Sequence, residues 1–144
     1  MELFKNTITK NAREKAMTSM SGIDSIAVGA PVEYGGSRDT LNPEELFVAS
    51  INSCIMLVFF HFLDKFKIEI LSYKSNAEGT VEKTKQGLRF TSVSVVAEVE
   101  ALNSEFESKI RDAANLAEKY CLVSNSVSCP VEYSVSLTFP RQSR

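Results

Sequence analysis

The chain has 144 residues, 44% hydrophobic and 24% charged. This is the make-up of one ordinary soluble domain, 1–144, able to bury about 70% of its unfolded surface. A formal net charge of −2, with no dense Lys/Arg run, removes any electrostatic case for nucleic acid as a partner. Three cysteines, an odd number, argue against a secreted disulfide framework and predict a reducing, cytoplasmic setting.

The opening MELFKNTITK alternates polar and apolar residues and has neither signal nor transit character. Residues 3–28 predict short strands, with AREKAMTSM and IDSIAV parted by a Ser21-Gly22 turn. A Gly-rich loop, GAPVEYGGSRDTL, then closes on Asn42-Pro43. Asn42 can cap the helix that follows, Pro43 suits its first position, and Glu44 and Glu45 complement its positive end. From Leu46 to Leu63 nearly every face of that helix is apolar, with Ser50, Asn52, Ser53 and His61 as the exceptions. Such a helix either spans a membrane or lies at the centre of a packed domain. Its run of about 18 apolar residues is short of the roughly 20 usual for a span. The amphipathic strands elsewhere also need a core, so the expectation is a long buried central helix and no membrane. A chain this size has little left to cover such a helix all round, which points to a dimer.

KIEILSYKSNAEGTVEK and LRFTSVSVVAEVEA flank the turn TKQG and predict a long antiparallel hairpin, with Val93, Val95, Ala97 and Val99 on the dry face. Ser104 with Glu107 reads as a capping box. Phe106, Ile110, Ala113, Ala117 and Tyr120 then recur at helical spacing. VEYSVSLTF closes the chain as a strand, with Val131, Tyr133, Val135, Leu137 and Phe139 alternating with polar partners. Strands, buried helix, hairpin, amphipathic helix and strand make an α+β fold with antiparallel sheets.

Two cysteines occupy comparable places: Cys54 inside the central helix, and Cys121 at the end of the amphipathic one. Both can be small core residues, since free cysteine is among the most buried types. They can also form a redox pair, in which one thiolate attacks an oxidant and the other captures the sulfenic acid. In mid-helix Cys54 gains nothing from the helix dipole, so its thiolate would need a cation from elsewhere. Cys54, His61, Cys121 and Cys129 lack the spacing of a structural zinc site, and neither metal nor organic cofactor is expected.

NPEELFVASINSC, followed 67 residues later by CLVSNS, resembles the OsmC/Ohr family of organic hydroperoxide reductases, in particular its Ohr branch. The likeness extends to the loop GAPVEYGGSRDTLNPEELF and to NAREKAM. It implies that Cys54 is the peroxidatic nucleophile and Cys121 the resolving cysteine. Arg13 would be the cation that holds the Cys54 thiolate, and Glu44 would orient that arginine. A guanidinium stays charged when desolvated and meets a carboxylate in bidentate geometry, so the chemistry agrees.

The resemblance also implies an intertwined homodimer with two sites at its interface. The substrate would be an alkyl or fatty-acid hydroperoxide held against Leu46, Phe47, Ile51 and Met56, and the reductant a small dithiol or lipoyl-bearing protein. Arg38 is the rival cation, since the OsmC branch places its arginine nearer the central helix. Glu44 can equally serve only the helix terminus, and Arg13 can be a solvated strand residue. His61, two turns beyond Cys54, can be a base or a hydrogen-bonded core residue. There are departures: Leu122 stands where the family usually has proline, and Cys129 is extra. A non-catalytic relative that binds lipid or senses redox state is the alternative.

Overall fold

The computed structural model describes residues 1–20 and 22–140. They fall into two compact units, Met1–Phe47 and the remainder from Val48 onward. The first unit is a three-stranded antiparallel meander of β1 (Thr7–Thr9), β2 (Ala16–Met20) and β3 (Ile23–Val28). Of the expected β2–β3 turn, Ser21 lies outside the described residues, while Gly22 takes the left-handed φ of +80° that a tight reversal needs. The loop after β3 returns to it: Val28 bridges Leu41, and the Gly29 N–H donates to the Leu41 carbonyl at 2.8 Å. Within that loop a Cβ on Gly36 would fall 1.6 Å from the Ala30 carbonyl oxygen, so only glycine fits.

Helix α1 (Pro43–Lys65) begins as its sequence predicts. The Glu45 N–H donates to Asn42 Oδ1 at 2.7 Å, and the Asn42 amide donates back to the Glu45 carboxylate. One orphan N–H at the terminus is thereby satisfied, and the second bond holds the capping side chain in place. α1 is long and apolar enough to cross a membrane. Its buried residues are Ile51, Ile55, Phe59 and Leu63, a stripe at i+4 spacing. Leu57, on another face, is 63% exposed. As expected for a chain of this size, the single chain covers one stripe of the helix and leaves the rest half-buried or open.

In the second unit that stripe packs on a sheet of order β4–β5–β6, comprising β4 (Ile70–Thr84), β5 (Gly87–Ala101) and β6 (Val131–Thr138). The Phe59 ring lies 5.6 Å from that of Tyr73 on β4 and 6.3 Å from that of Tyr133 on β6. β4 and β5 form the predicted hairpin, closed by Lys85–Gln86, with Gly87 at φ +99°. Val93, Val95, Ala97 and Val99 are buried to 1% exposure or less. Each of the three valines contributes about 1.5–3 kcal/mol on leaving water. At Gly79 of β4 a Cβ would come within 2.6 Å of the Phe90 ring and 2.7 Å of Val48, so glycine lets the helix approach the sheet.

Two details differ from expectation. β6 pairs with β5 in parallel, Val93 opposite Val131 through Glu100 opposite Thr138, so this sheet is mixed, not antiparallel. The reason is the crossover: α2 (Glu107–Tyr120) carries the chain back along the sheet, and a parallel neighbour requires such a return. The cap before α2 is Asn103, not Ser104: its side chain accepts from the Glu105 N–H at 3.0 Å and opens a 3₁₀ turn over Ser104–Phe106. α2 buries Ile110, Ala113 and Ala117 as its periodicity predicts, while Tyr120 is 54% exposed.

Candidate active site

Cys121 ends α2 and is fully buried, its backbone extended at φ −68°, ψ 111°. It turns the chain out of the helix into a 3₁₀ turn over Ser124–Ser126. Its sulfur accepts a hydrogen bond from the Ser124 N–H at 3.5 Å, and its carbonyl accepts from the Ser124 hydroxyl and the Asn125 N–H. Those contacts fix the thiol's direction. Cys54, half-buried on α1, stands near enough to the Cys121 thiol for each to be felt by the other. The two thiols are free and adjacent. Cys129 is also free and half-buried.

Burial pushes the Cys54 thiol above its ordinary value, and the Cys121 sulfur beside it pushes in the same direction. The backbone N–H groups of Val123 and Leu122 act in the opposite direction, because each favours the thiolate. Neither donor was foreseen from the sequence, where a backbone N–H leaves no mark.

The other expected members lie in the first unit. Arg13 is exposed in the β1–β2 turn, next to Ala12 at φ +42°. Glu44 is in the first turn of α1, and its Oε2 is buried without a hydrogen-bond partner. Among the described residues no ion pair joins Arg13 to Glu44. The cation–carboxylate pair is thus not assembled in the single chain. Its neighbour Glu45 is committed to the Asn42 cap, so the two adjacent carboxylates have separate situations. Arg38 lines an open polar cavity of about 330 Å³ together with Glu33, Ser37, Asn42 and Glu45.

His61 is exposed, with its ring edge-on to Phe62 at 5.2 Å, so it is not a core residue. Of the side chains expected to line a dry pocket, Ile51 belongs to the core, Phe47 and Met56 are half-buried, and Leu46 is open. Sequence reasoning also missed a buried hydroxyl pair, Tyr73 and Tyr133, 2.9 Å apart against Phe59 and Phe60. Burial and the Tyr73 hydroxyl push the Tyr133 phenol far above its usual value. Among the described residues no three His, Cys, Asp or Glu side chains gather as metal ligands.

Residues 35–136 match the family model described as OsmC-like protein. An uncharacterized protein of Methanocaldococcus jannaschii is 25% identical over 103 residues, 72% of this chain, and the chain spans about half that relative's length, 53%. Among solved structures, an OsmC-like protein of unknown function from Vibrio cholerae superposes with a TM-score of 0.85 at 23% identity, over 94% of this chain and 100% of that one. An organic hydroperoxide resistance protein OsmC from Legionella pneumophila gives 0.71 at 21% identity, over 96% and 99%. The organic hydroperoxide resistance protein OhrB of Bacillus subtilis gives 0.67 at 20%, over 95% and 98%. At these identities the structural likenesses show the fold.

Proposed function

Since the chain belongs to the OsmC-like protein family, we propose that it is a cytoplasmic cysteine peroxidase that reduces alkyl or fatty-acid hydroperoxides to alcohols. The observation that carries this reading is the contact between the Cys54 and Cys121 thiols, brought together from two helices. The hydroperoxide resistance proteins among its structural neighbours support the substrate class.

In this reading the Cys54 thiolate attacks the outer oxygen of the peroxide. The O–O bond breaks, the alkoxide takes a proton and leaves as the alcohol, and Cys54 becomes a sulfenic acid. The Cys121 thiol then attacks that sulfur, water leaves, and a Cys54–Cys121 disulfide remains. An external dithiol or lipoyl-bearing protein returns it to two thiols by exchange.

Arg13 supplies the cation and Glu44 holds it. The buried, unpartnered Glu44 Oε2 supports this, since a carboxylate oxygen cut off from water calls for a charged donor. The half-covered α1 and its exposed Leu57 support a homodimer that completes the site.

Purified reduced protein with dihydrolipoamide is expected to consume cumene hydroperoxide, and Cys54→Ser to abolish the turnover. One equivalent of peroxide should remove two hydrogens from the wild-type mass, whereas Cys121→Ser should trap an oxidised Cys54. Absence of turnover by fully reduced wild type would overturn the enzyme reading in favour of a non-catalytic binder or redox sensor. That alternative draws its support from the upward push on Cys54.

A further inference from the structure

The two thiols differ in what surrounds them. Cys121 is fully withdrawn from water, whereas Cys54 is only half-buried. The Cys121 sulfur has a defined donor, the Ser124 N–H at 3.5 Å. The turn that carries this donor is tied back to the end of α2 by its own side chains. The Ser124 hydroxyl donates to the Cys121 carbonyl at 3.3 Å, the Asn125 amide to the Lys119 carbonyl at 2.9 Å, and the Ser126 hydroxyl to the Leu122 carbonyl at 2.8 Å. These bonds satisfy carbonyls at the helix end and fix the Ser124 N–H against the sulfur. A disulfide between Cys54 and Cys121 offers an incoming thiolate two sulfurs to attack. The choice is governed by access to the sulfur attacked and by the stability of the thiolate that leaves. Both criteria select the same sulfur here, because Cys121 is the closed side and also the side with a donor for a negative charge.

We propose that reduction of the Cys54–Cys121 disulfide begins at the Cys54 sulfur, and that the Ser124 backbone N–H acts in this step by holding the Cys121 thiolate as it leaves. The proposal rests on the reading of Cys54 and Cys121 as a redox pair. A thiolate of the external dithiol bonds to the Cys54 sulfur, the Cys54–Cys121 bond breaks, and its electron pair departs with Cys121, which then takes a proton. The second thiolate of the dithiol attacks its own sulfur in the mixed disulfide, closes the dithiol's disulfide and releases Cys54 as thiolate. A hydrogen bond with an ionised acceptor is about twice as strong as a neutral one, so the Ser124 N–H strengthens as charge develops on Cys121. Cys54 is thus the point of contact for the reductant as well as for the oxidant, and Cys121 meets neither.

The test traps the first intermediate with a monothiol, which cannot complete the second step. In a Cys129→Ser background the disulfide is made with diamide, without any peroxide. Excess 2-mercaptoethanol is added, the mixture is quenched with acid at short times, and the adduct is located by peptide mapping. The adduct is expected on Cys54 in preference to Cys121 by about tenfold or more, the scale of one charge-assisted hydrogen bond. Equal labelling, or an adduct mainly on Cys121, would overturn the proposal. Ser124→Pro is not a clean way to remove the donor, because Val123 before it has the helical backbone that a residue preceding proline avoids. The amide is read directly instead, by NMR in Cys54→Ser, as Cys121 is titrated. The Ser124 amide proton should move downfield with the Cys121 midpoint, and by more than that of Asn125, whose acceptor is a carbonyl. A flat Ser124 amide removes its role. Neither readout depends on turnover. An adduct on Cys54 in a protein without peroxidase activity keeps this proposal and removes the enzyme reading, and an active protein with its adduct on Cys121 does the reverse.

Discussion

The two units of this chain are built on different terms. In the second, Ile51, Ile55, Phe59, Val95, Ala97, Ile110, Ala113 and Ala117 are wholly withdrawn from water, and α1, α2 and the mixed sheet share them. In the first, the buried residues are polar: Thr18, which receives the Asn6 amide at 2.6 Å, and the capping residue Asn42. Its large apolar side chains face outward, with Phe4 90%, Leu3 71% and Ile8 62% exposed. A three-stranded meander with no dry face has little of its own to hold it. The unit with the proposed thiols is thus self-sufficient, while the unit with the proposed cation buries no large apolar side chain among the described residues.

Core truncation is the most severe way to sharpen this contrast. Phe59→Ala should cost about 3–5 kcal/mol in denaturant unfolding, because its ring meets Phe60, Tyr73 and Tyr133. Next in size is the proposed cation. Arg13→Ala should lower kcat/KM for cumene hydroperoxide about a hundredfold, the scale of losing a charge-stabilising donor. Arg38→Ala should leave it within about threefold, and the opposite ranking would transfer the role to Arg38. Asn42→Ala should cost about 1 kcal/mol as α1 loses its cap. The mildest change, Ile8→Ala, should stay within about 0.5 kcal/mol. A cost of Ile8→Ala comparable to that of Phe59→Ala would break the comparison outright.

Alkaline pH tests the second unit alone. Burial raises the folded-state pKa of Cys54 above its ordinary 9.0, and that of Tyr133 above 10.0. The folded chain therefore holds these protons more tightly than the unfolded one. The stability they contribute is complete below those ordinary values and is lost as pH rises towards the raised ones. Melting of the reduced protein should fall as pH increases from about 9, and Tyr133→Phe should flatten the decline above 10.

Local signals were the legible part. The Asn42 cap, the β4–β5 hairpin and the buried face of α2 rest on contacts within a few residues of one another, and the pattern encodes them directly. The direction of β6 was not legible, because its alternation fixes which side chains face the core but not which way the strand runs. Asn103 displaced Ser104 as the cap, since either side chain suits the role and the 3₁₀ turn decided between them. The meeting of Cys54 with Cys121 spans 67 residues. No periodicity contains it; their comparable places on two helices raised the pairing, and the resemblance of motifs gave each thiol a role. Which face of α1 its own chain covers was not legible, because an all-apolar helix reads the same on every side.

The parallel pairing of β6 sets an order of events as the chain is made. Cys54 leaves the ribosome on a helix whose neighbour does not yet exist, and β4 and β5 can zip together at once across a two-residue loop. The partner thiol arrives with the last turn of α2, and the sheet edge that seats this crossover is closed by the final strand. Non-local parallel pairing is slow to form. Over the 67 residues from one to the other the chain carries Cys54 as a thiol without that neighbour, and the two thiols come together only as the fold is finished.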